Sequence, residues 1–203
     1  MTRFARPLPA GRRHLDELTA PLAALYRDAP RLERWGRRLS EVLVAGGRLL
    51  AAGNGGSAAE AAHLTSELVG RYRDDRPPFS AIALTAEASA VSAIGNDYGI
   101  EEVFARQVRA HGRPGDVLVA LSTSGRSPNV LAAVDAANDA GLTTWALTGR
   151  PGNALAERCH DALCVDSPHT ATIQEIHLIT IHLVCAAVDE ALAAGPLSFE
   201  AAR

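Results

Sequence analysis

The spacing of apolar residues along the chain changes once, near residue 46. Before this point apolar side chains recur every three or four positions over residues 15–26 and 30–44, with arginines and acids between them, which predicts two amphipathic helices. After Gly46 and Gly47 the apolar residues form short continuous runs, each bounded by turn residues. Such runs are typical of strands that are buried on both faces, as in a parallel sheet covered by helices.

Five strands are predicted, at residues 48–52, 81–84, 117–121, 143–147 and 162–165. Helical patterns alternate with them, at residues 57–72, 86–94, 101–110, 127–140, 153–159 and 172–194. This order predicts a doubly wound three-layer α/β sandwich with a central, mostly parallel five-stranded sheet and added N-terminal helices. We expect one domain over residues 1–203, with a helical segment at 1–45 packed on an α/β core at 46–194. Ligands in such folds bind beyond the carboxyl ends of the strands.

Composition narrows the class of function. A net charge of −3 offers no basic face for nucleic acid, and we expect no nucleic-acid partner. No apolar run looks long enough to span a bilayer, so we expect no membrane association. Residues 1–13 carry four arginines without an apolar stretch after them, which indicates a solvated tail and no signal peptide. The three cysteines lack a CxxC spacing, which favours free thiols in a cytoplasmic protein.

The chain contains no lysine, because all 20 of its basic residues are arginines. A Schiff base between a lysine and a carbonyl compound is therefore excluded, and so is a standard P-loop. Carbonyl chemistry on this chain would have to proceed by acid–base steps or with a metal ion.

The first predicted strand is followed by the glycine-rich loop Gly53-Asn54-Gly55-Gly56-Ser57. Ser57 and Glu60 have the spacing of a capping box, which predicts that a helix begins at Ser57. A glycine turn that opens a helix is suited to binding an anion, although many such loops bind nothing.

The third predicted strand is followed by a serine-rich loop, Ser122-Thr123-Ser124-Gly125-Arg126-Ser127-Pro128. Ser127 is a good N-cap, and Pro128 suits the first helical position because its missing N–H is not needed there. The hydroxyls, the backbone N–H groups and the helix dipole would together surround a phosphate. From the loop alone, a serine-rich turn that only caps the helix is an equally good interpretation.

His63 and Glu67 are four residues apart on the second predicted helix and project from one face, where a metal ion could accept both or the glutamate could act as a base. Alone, such a pair is more often a surface hydrogen bond. The apolar last helix is interrupted by Gln174, His177 and His182, and buried polar groups need partners. His177 and His182 lie roughly 140° apart around an ideal helix, so only one of them is expected in a given site.

These motifs together resemble the sugar-isomerase domain of the phosphoheptose isomerase family. The resemblance rests on the glycine-rich loop with His63 and Glu67, on Asn96-Asp97-Tyr98-Gly99, on the serine-rich loop to Asn129, and on Gln174 with His182. It extends from about residue 46 to residue 192. It implies a homotetramer with active sites between subunits, one zinc ion per subunit, and conversion of sedoheptulose 7-phosphate to D-glycero-D-manno-heptose 7-phosphate.

The resemblance also implies roles for particular residues. Glu67 and His182 would be the catalytic acid–base pair. The zinc ligands would be His63, Glu67, Gln174 and His182. The residues that contact the substrate would be Asn54, Gly55, Gly56, Ser57, Glu67, Arg71, Asn96, Asp97, Ser122, Thr123, Ser124, Ser127 and Gln174.

Two features of the last helix bear on this assignment. Gln174 and His182 lie about 12 Å apart along an ideal helix axis, so one metal ion would need a long side-chain reach, an irregular helix start or ligands from different subunits. Thr172 occupies a position where many relatives would carry arginine, and this difference would affect the substrate pocket.

The expected reaction is aldose–ketose isomerisation through an enediol. Three alternatives stay open at this point. A non-catalytic adaptor of the same fold, which binds a replication initiator, would lack the metal and acid–base residues that this chain has. A sugar-phosphate sensor would need the serine-rich loop but not Glu67. An isomerase for another phosphosugar would use the same loops.

Overall fold

The computed structural model describes residues 9–194. The two predicted N-terminal helices are a single helix, α1 (Ala10–Val44), which continues through Pro21 and Pro30. The apolar spacing predicted that a first helix ends near residue 26 and a second begins at Pro30, a residue that lacks the backbone N–H for a helical hydrogen bond. The break is absent because α1 packs along the last helix of the chain and buries Leu25 and Leu32 on either side of Pro30. The predicted solvated tail is therefore shorter than residues 1–13, and its residues 1–8 lie outside the described part.

The rest of the chain alternates strands and helices as predicted. The strands are β1 (Leu49–Gly53), β2 (Ala81–Ala83), β3 (Val117–Ser122), β4 (Thr143–Thr148) and β5 (Asp161–Cys164). The helices are α2 (Gly56–Val69), α3 (Ala88–Tyr98), α4 (Glu102–His111), α5 (Pro128–Asp139), α6 (Ala154–Arg158) and α7 (Thr170–Ala194). The strands pair in the order β2-β1-β3-β4-β5, and all four pairings are parallel.

Helices cover both faces of the sheet, which confirms the predicted three-layer α/β fold. One apolar core lies between the sheet and α1, α2 and α7, and it includes the stacked rings of Trp35 and Trp145, whose centroids are 4.8 Å apart. A second core lies between the opposite face and α4 and α5. Every residue of β1 and β3 is buried, as their continuous apolar runs predicted.

Helix α7 is longer and more apolar than was expected from the sequence. By length and composition this helix of 25 residues could cross a membrane, since 18 consecutive residues of it have a mean hydropathy of 1.6, so the expectation that no run reaches this length is wrong. Ten residues of α7 are buried against other parts of the fold. Gly36 of α1 allows a close crossing, since a Cβ at this position would lie 2.3 Å from Ala187 Cβ. Packing inside the domain thus accounts for much of the apolar character of α7.

The chain leaves β1 toward one edge of the sheet, through β2, and then returns to place β3 on the other side of β1. The carboxyl ends of β1 and β3 are therefore neighbours where the winding direction reverses. This is the position at which doubly wound sheets bind ligands.

Candidate active site

The glycine-rich and serine-rich loops lie side by side at this switch point, because Gly53 at the end of β1 pairs with Leu121 of β3. Between them is a cavity of about 300 Å³. It is lined by Asn54, Gly55, Gly56, Ser57, Leu121, Ser122, Thr123, Ser124, Ser127, Thr170 and Gln174. Nine of the predicted substrate-contacting residues are thus brought together in one pocket.

The glycine-rich loop begins α2 one residue earlier than predicted. The N-cap is Gly55, with φ of 56°, and Ser57 is a buried helical residue, so the predicted capping box is wrong. A Cβ on Gly56 would lie 2.2 Å from Nε2 of Gln174. A side chain at this position would have to displace the Gln174 amide, because α7 brings this amide directly against the start of α2 and into the lining of the cavity.

The serine-rich loop is held together by its own hydroxyl groups. Ser122 Oγ lies 3.1 Å from Ser127 Oγ and 3.4 Å from Ser124 Oγ. Ser127 is the N-cap residue of α5 with Pro128 in the first turn, as predicted, but its side chain makes no capping hydrogen bond. Pro128 has no N–H, and the N–H groups of Val130 and Leu131 donate to the carbonyl of Ser127. Among the first-turn donors of α5, the N–H of Asn129 is therefore the one that can bind an anion in the cavity.

The two loops are joined by an amide pair, of which Asn54 was predicted to contact the substrate and Asn129 was given no role. Asn54 and Asn129 exchange two hydrogen bonds, each 2.9 Å long, between their side-chain amides. Asn129 is buried in the first turn of α5. Its position directly after the helix-opening Pro128 was the available signal, because a buried asparagine there needs a partner from a neighbouring loop.

A second cluster lies between α2 and α7, at the far end of α2 from the cavity. Nε2 of His63 is 2.9 Å from Nε2 of His182, and it is 3.5 Å from Oε1 of Glu67. The ring of Tyr72 lies beside the ring of His182, with centroids 5.6 Å apart. The predicted acid–base pair is thus in one place, with a tyrosine ring on one side.

Cys185 lies near this cluster but has little chemistry to offer. Burial, with the negative charge of Glu67 adding to it, raises the pKa of the Cys185 thiol to about 12. The thiol is therefore protonated at neutral pH and is neither a nucleophile nor a thiolate ligand.

The other polar groups of α7 have separate environments. His177 is fully buried and its Nε2–H donates to the carbonyl of Thr148 at 3.2 Å, so it faces away from the His63–His182 contact, as the spacing predicted. Thr172 is also fully buried, and its hydroxyl has no hydrogen-bond partner. Thr172 is not among the residues that line the cavity.

Four predicted substrate-contacting residues lie outside the cavity, namely Glu67, which belongs to the second cluster, and Arg71, Asn96 and Asp97. Arg71 is exposed after the end of α2, where it donates to the carbonyl of Arg73. Asn96 and Asp97 are exposed at the end of α3, and the Asn96 amide donates to the Asp97 carboxylate at 2.8 Å. The side chains of Arg71, Asn96 and Asp97 are thus not part of the cavity lining in this chain.

The proposed zinc ligands are divided between the two places. Two imidazoles and a carboxylate are donors that zinc accepts, so the chemistry of His63, Glu67 and His182 fits this ion. In the described residues, however, no group of three or more His, Cys, Asp and Glu side chains is arranged as a metal site. The two rings hydrogen-bond each other, and Gln174 lies in the cavity. Within the described part of the chain, the four proposed ligands are therefore not arranged as a zinc site.

Comparisons with known proteins agree with this geometry. Residues 13–149 match the family model of the SIS domain. The phosphoheptose isomerase of Streptomyces coelicolor is 64% identical over 182 residues, which cover 90% of this chain and 79% of that protein. The phosphoheptose isomerase of Thiobacillus denitrificans is 53% identical over 167 residues, covering 81% of this chain and 85% of that protein.

Solved structures give the same result. A phosphoheptose isomerase from Francisella tularensis superposes with a TM-score of 0.80 at 35% identity, over 90% of this chain and 100% of that one. The corresponding protein from Neisseria gonorrhoeae has a TM-score of 0.70 at 41% identity, over 85% of this chain and 99% of that one. The chain therefore belongs to the SIS domain family and, within it, to the phosphoheptose isomerases, and it is a phosphosugar isomerase.

Proposed function

We propose that this enzyme converts sedoheptulose 7-phosphate to D-glycero-D-manno-heptose 7-phosphate through an enediol. The observation that carries the proposal is the cavity between the glycine-rich and serine-rich loops, where hydroxyls and the N-terminus of α5 converge. These groups suit a phosphate monoester. Binding the phosphate there would orient the open-chain sugar for the chemical steps.

Glu67 acts as the base on carbon. It removes a proton from C1 of the ketose, the electron pair forms the C1–C2 double bond, and the oxygen on C2 takes a proton from His182. In the second half, His182 accepts the proton of the C1 hydroxyl as the aldehyde forms, and Glu67 returns its proton to C2. The 3.5 Å contact of Glu67 with His63 and the 2.9 Å contact of His63 with His182 support a shared role for these groups.

Zinc is the cofactor that this proposal includes, at one ion per subunit, held by His63, Glu67, Gln174 and His182. When bound, it would act as a Lewis acid on the sugar carbonyl.

We propose that the complete site combines the cavity of one subunit with the α2–α7 cluster of another, within a homotetramer. The Cα atoms of Ser57 and Glu67 are about 15 Å apart along α2, so the loops of the cavity and the proposed base are well separated within one chain. Gln174 lies at the cavity end, separate from the other three proposed zinc ligands. A second copy would also bring exposed residues such as Arg71, Asn96 and Asp97 toward the cavity.

A cytoplasmic location is proposed with this function. Cys159, Cys164 and Cys185 are free thiols, which suits a reducing compartment. We propose no nucleic-acid or membrane partner.

The test is direct. Purified enzyme is incubated with sedoheptulose 7-phosphate in D₂O, and NMR follows both the aldose product and deuterium at C2. Fructose 6-phosphate and ribulose 5-phosphate serve as matched controls of shorter chain length. Turnover of the heptulose well above that of either control supports the proposed substrate. Faster turnover of a control would identify a different phosphosugar as the substrate.

A further inference from the structure

Arg76 lies beyond the end of α2, with a side chain that is only 8% exposed. Its Nε donates to Oδ1 of Asp189 on α7 at 2.9 Å. Its Nη2 donates to the main-chain carbonyl of Glu67 at 2.6 Å, and its Nη1 donates to the carbonyl of Leu68 at 3.0 Å. One guanidinium group thus joins the last turn of α2 to α7.

Each of these contacts has a clear physical reason. The last carbonyls of a helix have no partner within the helix, and a cation beside them is favourable because the helix dipole is negative at this end. Asp189 is 15% exposed and balances the buried charge of Arg76. The guanidinium also lies over the ring of Phe79, 5.1 Å from its centroid. The planar guanidinium group of arginine, with its several N–H donors, can bind a carboxylate and two carbonyls at once, which the single ammonium of lysine cannot.

The location of this link matters because α2 and α7 carry the acid–base groups. Arg76 holds the backbone of Glu67 itself. Asp189 follows His182 on α7 by about two turns. On the other side of Glu67, His63 of α2 and His182 of α7 form a 2.9 Å pair, and Nδ1 of His177 lies 3.7 Å from Oε2 of Glu60 farther toward the start of α2. The Arg76 link and the His63–His182 pair thus hold the two helices together on either side of Glu67.

We propose that Arg76 and Asp189 are positioning residues that hold Glu67 at its working distance from His182. This inference rests on the proposed function of Glu67 and His182 as an acid–base pair. Neither residue lines the cavity for the phosphate. Loosening the link should therefore impair the chemical step and leave substrate binding largely unchanged.

The test uses two conservative variants, Arg76→Lys and Asp189→Asn, in the full-length enzyme. Lysine keeps the charge but cannot hold the carboxylate and both carbonyls together. We expect kcat to fall by about tenfold to hundredfold, as small displacements of catalytic groups do. We expect KM to stay within about twofold, because uniform binding is retained. Arg48→Lys is the matched control, since Arg48 pairs with buried Asp116 at the opposite end of the sheet.

A second readout needs no substrate. In enzyme labelled with ¹⁵N-histidine, the ring signals of His63 and His182 should shift in both variants, while those of His160 at the other end of β4 should not. Ring signals that stay in place, or equal losses of kcat in Arg48→Lys, would overturn the proposal. If the wild type fails to convert the heptulose, the proposed function fails, and the ring signals alone then decide whether Arg76 and Asp189 position the cluster.

Discussion

At the scale of single residues, the two parts of the site differ in what maintains them. The cavity is formed mostly by main-chain groups and hydroxyls, and the reciprocal amide pair of Asn54 and Asn129 holds its two loops together. The α2–α7 cluster is formed by side chains alone, with Glu67 beside His63. Substitutions in the cavity should therefore act on binding, whereas substitutions in the cluster should act on turnover.

Replacing Ser124 by alanine should weaken binding of the sugar phosphate. Ser124 is exposed at the loop tip and its Oγ accepts from the N–H of Arg126, so its loss should affect folding little. Losing a hydrogen bond to a charged phosphate should cost about 1.5–3 kcal/mol of binding free energy. Calorimetric titration with sedoheptulose 7-phosphate measures this, with Ser92→Ala on α3 as the control. An unchanged affinity would remove the serine-rich loop from the binding site.

Replacing Glu67 by glutamine should abolish isomerisation and leave a folded enzyme that binds sugar phosphate. Glutamine keeps the size of glutamate but cannot accept a proton at neutral pH, and a positioned base is worth about 10²–10⁴-fold in rate. Turnover and deuterium incorporation are followed by NMR, with Glu190→Gln, an exposed position on α7, as the control. Turnover near the wild-type rate would leave a sugar-phosphate-binding protein as the better description.

At the scale of elements, the continuous runs of apolar residues predicted all five strands and the parallel sheet, because strands buried on both faces consist almost entirely of apolar residues. Local rules failed where tertiary contacts compete with them. Pro30 did not break α1, since packing on α7 compensates for the lost hydrogen bond. Ser57 did not cap α2, since Gly55 makes the turn and Gln174 occupies the space above Gly56.

No local sequence pattern predicts that the site is divided into two parts. The four-residue spacing of His63 and Glu67 predicted their common face, and the structure agrees. The contact of His63 with His182 depends on how α2 and α7 cross, which no spacing within one helix encodes. The resemblance to the family supplied that pairing, while Asn129 and Arg76 were found only from their contacts in the fold.

The zinc content of the purified enzyme tests whether residues of α2 and α7 bind a metal ion together. We expect about one zinc ion per subunit in enzyme purified without added metal, because a set of two imidazoles, a carboxylate and an amide suits this ion. His63→Ala should lose the metal, while His111→Ala, at the exposed end of α4, should retain it. Elemental analysis measures the metal, and activity after chelation is measured beside it. Metal-free wild type with full activity would exclude zinc.

At the scale of the whole molecule, the surface of α1 and α7 suggests where other copies bind. Leu22, Tyr26, Leu178 and Leu183 are exposed large apolar side chains, and three of them, Leu22, Tyr26 and Leu183, line an apolar groove between the two helices. A surface of this kind favours association. A tetramer built through these helices would cover it, and it would also bring second copies of α2 and α7 within reach of a neighbouring cavity.

Subunit mixing tests whether the active site is shared. Two inactive variants are prepared: Ser124→Asp, whose carboxylate repels the phosphate, and Glu67→Gln, which lacks the base. Light scattering first checks that each forms a tetramer at micromolar concentration, since a monomer would already contradict the proposal. In co-expressed mixed tetramers, a shared site can combine the intact loop of one variant with the intact cluster of the other, which restores about one quarter of the sites when assembly is random. If each site lies within a single subunit, every site keeps one defect, and the mixed tetramers stay as inactive as their parents.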